Sequence, residues 1–81
     1  MDKYSEERKW LIGLIAYRFA EICESFGIDG LWIGNMTEIS TIADEYDFTH
    51  TLDERDFIDT DVIYDDVDRI AYRLAVKEKN K

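Results

Sequence analysis

More than a quarter of the chain, from Ser5 to Phe26, carries one helical pattern, and this commits an 81-residue protein to folding around a single long helix. With Trp10 at 0° and about 100° per residue, Leu11, Ile12, Ile15, Ala16, Phe19, Ile22, Cys23 and Phe26 fall between roughly 100° and 240°, one wide apolar face. Ser5 is a candidate N-cap, and Glu6 and Glu7 suit the positive end of a helix dipole. Gly27 suits a left-handed stop. Trp10, Leu14 and Tyr17 lie off the main face, within roughly 340° to 40°, and are edged by Glu6, Glu21, Glu24 and Ser25. This second stripe is covered either by a later segment of the chain or by a partner.

A second amphipathic stretch, about residues 61–77, predicts the last helix, with Asp59, Thr60 or Asp61 as its cap. Ile63, Val67, Ile70, Ala71 and Leu74 form its stripe, and Asp65 and Arg69 make an i, i+4 pair. Between the two, Gly27, Gly30 and Gly34 bracket Leu31-Trp32-Ile33, which reads as turns around a short strand. Thr37 can cap a short acidic helix, about Glu38 to Asp47, whose Ile39, Ile42, Ala43 and Tyr46 follow the i, i+3, i+4, i+7 rule. Phe48–Leu52 alternates weakly as a strand would, yet Thr51-Leu52-Asp53-Glu54 also matches a capping box that starts a helical turn at Leu52. The chain has no proline and no internal repeat. The expectation is one small domain over residues 1–81, mainly α: two longer helices at about 5–26 and 61–77, a short acidic helix and turns between them, and a minor strand pair at 31–33 and 48–52.

Charge is the second strong constraint. Residues 29–68 hold thirteen carboxylates against one base, Arg55, a formal −12, whereas residues 1–28 sum to −1 and residues 69–81 to +4. Helix starts and solvated faces account for Glu38, Asp59, Asp61, Asp65 and Asp66. They do not account for Asp44, Glu45, Asp47, Asp53, Glu54 and Asp56, whose self-repulsion costs a small domain stability. Duplex DNA carries one charge per about 1.7 Å of axis. Carboxylates on short helices and turns approach that density, and Tyr46, Phe48, Phe57 and Tyr64 are interleaved with them. Such a surface suits a basic protein, in particular a nucleic-acid-binding groove. It disfavours direct contact with nucleic acid or anionic membranes.

Other chemistries find little support. Asp59, Asp61 and Asp65 match calcium-loop positions one, three and seven, but Tyr64 stands at the required glycine and Ile70 at the bidentate glutamate, so the match fails. Asp53, Asp56 and Asp59 offer at most a loose cation contact, so no metal site is expected. His50 is the only histidine and lies between threonines. No phosphate loop, nucleophile elbow or Cys/His ligand set occurs, so neither an enzyme nor a cofactor is expected. Cys23, the only cysteine, reads as a buried structural thiol in a reducing cytoplasm. The N-terminus is too polar for a signal peptide. The longest apolar run, about eight residues, falls far short of the roughly 20 that span a bilayer.

The expected function is therefore that of a non-enzymatic, nucleic-acid-mimicking inhibitor with Asp44, Glu45, Asp47, Asp53, Glu54, Asp56 and Asp65 as its face and Tyr46 and Phe57 as anchors. In size, charge and aromatic content the chain resembles the small acidic proteins that phages use against restriction or CRISPR nucleases; no residue motif carries that resemblance. The second expectation is a helical interaction module or homodimer joined through Trp10, Leu14 and Tyr17, or through the basic C-terminal end of one copy against the acidic middle of another.

Overall fold

Two of the three helices run in the same direction, and this sets where every charge ends up. The structure, a computed structural model, describes residues 3–81. Helix α1 spans Ser5–Ser25, α2 Ile33–Glu45 and α3 Thr60–Lys79, with a 3-10 turn at Phe48–Thr51. Contacts between α1 and α3 climb both helices together: Trp10 meets Tyr64 edge-on at 6.1 Å, Arg18 pairs with Asp68 at 2.9 Å, and Phe26 meets Tyr72 at 6.2 Å. Helix α2 runs the other way, with Glu38 beside Lys77 and Tyr46 beside Asp66. The chain thus goes up, down and up. The starts of α1 and α3 and the end of α2 share one pole of a body 42 × 25 × 15 Å in extent.

The core lies where the apolar stripes converge. Leu11, Ile15, Phe19, Ile22 and Cys23 enter from α1, Ile39 and Ala43 from α2, and Ile63, Val67, Ala71, Leu74 and Ala75 from α3; Phe48 closes the lower end. Fully buried Leu, Ile and Phe side chains contribute about 1.5–3 kcal/mol each relative to exposure. Of the second stripe on α1, Leu14 is half-buried against this core and Trp10 is partly covered by Tyr64, while Tyr17 stays 69% exposed. The chain covers that stripe in part.

The mainly α expectation holds, with four local corrections. Helix α1 has Tyr4 at its N-cap position without a side-chain bond, so Ser5 is its first residue; beyond its last residue, Ser25, and the Phe26 cap, Gly27 at φ +75 supplies the left-handed stop. Helix α2 begins at Ile33, not near Glu38. Residues 31–33 form no strand, and the Thr37 hydroxyl donates back to the Ile33 carbonyl at 2.9 Å instead of capping. The glycines had suggested turns, but tertiary anchors override that preference. Asn35 is buried and donates to the Gly30 carbonyl at 2.5 Å, and a Cβ on Gly34 would stand within the Trp32 ring's space, which ties the start of α2 down.

Neither reading of residues 48–52 survives intact. A 3-10 turn forms at Phe48–Thr51 and stops there. The Thr51 hydroxyl donates to the Phe48 carbonyl at 2.7 Å and so caps nothing. Leu52 then makes an isolated antiparallel bridge to Ile58, and no strand of any length forms among the described residues. Helix α3 starts at Thr60 with Asp59 as its cap and runs two residues beyond the expected end.

Candidate functional site at the acidic pole

The acidic pole is assembled from the end of α2, the 3-10 turn, the loop 52–59 and the start of α3. Several of its carboxylates are there because the backbone needs them. Asp47 accepts from the Thr49 N–H at 2.9 Å and the Thr49 hydroxyl at 2.6 Å, which starts the 3-10 turn. Asp53 Oδ1 accepts from the N–H groups of Arg55 at 2.8 Å and Phe57 at 3.1 Å, folding the chain back so that Leu52 meets Ile58. Asp59 accepts from Asp61 N–H at 3.0 Å and caps α3. Hydrogen bonds from Thr49 hold the Asp47 carboxyl below the ordinary carboxylate range, and those from Arg55 and Phe57 do the same for Asp53. Asp56 occupies the left-handed region at φ +62, which closes the turn.

A second group has no such duty. Asp44, Glu45, Glu54, Asp56, Asp61 and Asp65 are exposed, and their carboxylates make no hydrogen bond or ion pair among the described residues. The cations at this pole are engaged. Arg55 pairs with Asp53 at 3.2 Å and lies over Phe57, and Arg69 binds Asp66. Arg8 lies over the Phe48 ring at 5.5 Å.

The basic C-terminal end does not neutralise this surface, because α3 carries it to the far pole. There Lys77 pairs with Glu38 at 3.1 Å and Lys81 with Glu78 at 2.9 Å; Lys79 lies over Phe26 and Lys81 over Trp32. All the acidic face residues expected from sequence fall on segments that meet at the acidic pole, with Asp65 just over one turn into α3.

The two expected aromatic anchors part company. Phe57 is 64% exposed at the loop tip. Tyr46 is half-buried: its ring meets Phe48 edge-on at 4.8 Å, and its hydroxyl donates to Asp66 at 2.5 Å. It holds the loop to α3 instead of facing outward.

Asp66 is the residue that sequence reasoning placed wrongly, as an ordinary helix-start acid. It is buried and gathers Tyr46, His50 Nε2 at 2.9 Å and Arg69. Burial works against its charge, but the bonds from Tyr46 and His50, with the Arg69 charge, outweigh it and hold the carboxyl below its ordinary value. The bond to Asp66 raises His50 above its ordinary value; burial and then the same carboxylate raise the Tyr46 phenol. The i, i+3 spacing of Asp66 and Arg69 was visible in the sequence; the long-range closure with His50 was not.

Elsewhere, Cys23 is buried beneath Gly30, and burial, with Glu78 and Asp29 nearby, pushes its thiol up. No group of three or more His, Cys, Asp or Glu among the described residues is disposed to hold a metal ion, Asp53, Asp56 and Asp59 included. No helix among them is long and apolar enough to cross a membrane. No protein-family model matches the chain, and neither a curated protein nor a solved structure shows significant similarity to it.

Proposed function

We propose that the acidic pole is a decoy for nucleic acid: a non-enzymatic surface that occupies the basic groove of a DNA- or RNA-binding protein or nuclease, in the cytoplasm, as phage-type anti-restriction and anti-CRISPR proteins do. One observation carries this reading. Exposed carboxylates without partners among the described residues, from three separate segments, gather at one pole, while the cationic tail is held at the other. A chain that used its acids only to cap helices and turns needs Asp47, Asp53 and Asp59. It has no structural need for Asp44, Glu45, Glu54 or Asp65. Because the caps fix the loop, the array is presented in one geometry, which lowers the ordering cost of binding. Phe57 at the loop tip offers a flat apolar surface where a groove expects a base.

The test uses the immobilised chain and a panel of nucleases and DNA-binding proteins. The bound partner is expected to be released by duplex DNA and by rising salt. Asn or Gln at Asp44, Glu45, Glu54 and Asp65 together should slow association at least about tenfold at low salt, with helicity unchanged. Asp53 is unsuitable as a first target because its loss would also unfold the turn. A partner that stays bound in excess duplex DNA, or that ignores the four substitutions, refutes the proposal.

A further inference from the structure

Helices α2 and α3 both rest on α1 but not on each other. No Cα of α2 lies within 8 Å of one in α3, and the two meet through side chains such as Glu38 with Lys77 and Asn35 with Glu78. The gap is an open groove of about 330 Å³ lined by Glu38, Ile42, Ile70, Arg73, Leu74 and Lys77. Its floor is apolar, and Ile42 and Ile70, packed against the core, remain partly exposed in it. Its two walls carry opposite charge. Arg69, Arg73 and Lys77 repeat every four residues along α3, and Glu38 and Glu45 stand seven apart along α2, so each set lies along one side of its helix. Arg73 is exposed and has no hydrogen bond or ion pair among the described residues, the only cation on the groove in that position, since Lys77 already holds Glu38.

A surface with an acidic wall, an apolar floor and a basic wall is its own complement under a two-fold axis. An axis running along the bundle lays α2 of each copy over α3 of the other and keeps them antiparallel, as they are within one chain. With a rise of about 1.5 Å per residue, Arg73 sits about 6 Å below Lys77, between the levels of Glu38 and Glu45. The unpartnered guanidinium of one copy then meets a carboxylate of the other, twice per dimer, over the joined apolar floors. The broad side of the molecule, 42 × 25 Å, is large enough for the roughly 800 Å² per partner that a stable interface buries. We infer that the α2–α3 groove is the interface of a two-fold homodimer. The inference does not rest on the decoy reading: of the acidic-pole residues it uses only Glu45, and the loop 52–59 at the end of the bundle stays open in such a dimer.

The experiment is sedimentation equilibrium of the full chain from about 5 to 500 µM. Salt is set at about 0.3 M so that repulsion between chains of charge −9 is screened beyond about 6 Å. The expected mass at the upper end is twice 9.6 kDa. Arg73→Glu and Glu38→Arg should each weaken the dimer at least about tenfold, and the double swap should recover part of that loss, because it reverses the pair across the axis while Lys77 and Glu45 keep their sign. Circular dichroism of each variant checks that the helices are retained, and rescue by the double swap shows that neither single variant acted by misfolding. A constant mass of 9.6 kDa overturns the inference. So does a dimer that Arg73→Glu leaves intact; its dissociation by Tyr17→Ala would then assign the interface to the aromatic stripe of α1.

Discussion

Asp66→Asn is the most informative single change, because it disturbs the one buried charge among the described residues and nothing else in the core. The carboxylate accepts from Tyr46, His50 and Arg69, and the three differ in exposure. The Arg69 and His50 side chains are 60% and 46% exposed, so both regain water when the carboxylate is lost, and each contact is worth only about 0.2–1 kcal/mol. The half-buried Tyr46 hydroxyl does not regain water so readily. A hydrogen bond to a charged acceptor in that setting is worth about 1.5–3 kcal/mol. The summed loss is about 2–5 kcal/mol, against a total stability of roughly 4–12 kcal/mol for a chain of this length. Urea unfolding followed by circular dichroism measures it.

The pH dependence gives a second, independent check. His50 is raised from 6.5 in the fold, so its contribution is complete below the unfolded value and fades as pH rises through the folded one. Asp66 is lowered from 3.8, so its contribution is complete above that value and fades as pH falls through the folded one. The difference between wild type and Asp66→Asn should therefore be largest between about pH 4 and 6.5 and smaller at pH 8. A cost below about 1 kcal/mol at pH 6, or an equal cost at pH 6 and 8, would refute the assignment of these contacts.

Two backbone predictions follow from the glycines and one from the loop tip. Gly27→Ala places a Cβ in open space at φ +75 and should cost about 1 kcal/mol by urea unfolding. Gly30→Ala should cost more, about 1–3 kcal/mol, since its Cβ would lie 2.7 Å from both Cys23 Sγ and Phe19 Cζ inside the core; an equal cost at the two positions would contradict the packing described. Asp56→Gly should stabilise the fold or leave it unchanged by the same assay, because φ +62 suits glycine better than aspartate. A clear loss of stability would mean that the Asp56 carboxylate has a structural role.

Where the sequence was legible, the reason was periodicity. The two long helices and their buried faces follow from spacing alone, because a stripe of Leu11, Ile15, Phe19 and Ile22 has no other way to leave water. The Asp59 cap and the Gly27 stop were legible for local reasons. The start of α2 was not, because what holds Ile33 to Met36 helical is distant: Asn35 and Trp32 both donate to Glu78, more than forty residues on. The loop 46–59 was misread for the same reason. Its shape depends on Tyr4 stacking on Phe48 at 5.2 Å and on Asp66 receiving Tyr46, contacts that no window of neighbouring residues contains. At the candidate site, the composition of the acidic face was readable, but its coherence was not. Whether Glu45 and Glu54 share a pole depends on the direction of α2, and Tyr46 looked like an outward anchor until its hydroxyl was placed.

That direction also explains how a small domain tolerates so much like charge in one place. An up-down-up bundle brings two helix N-termini to the same pole, each carrying about half a positive charge from its free N–H groups. Glu6 and Glu7 sit in the first turn of α1 and Asp61 in that of α3, where this field favours them. Only α2 ends there, and only its Asp44 and Glu45 face an unfavourable dipole. The loop carboxylates Asp47, Asp53 and Asp59 offset their mutual repulsion by taking backbone N–H groups that would otherwise lack partners. Inverting α3 would place its cationic end against these acids and remove both the repulsion and the exposed array. The topology does the opposite. It separates the charges by the length of the bundle and stabilises the acidic end with dipoles and caps, while the exposed carboxylates there are left without an ion pair among the described residues.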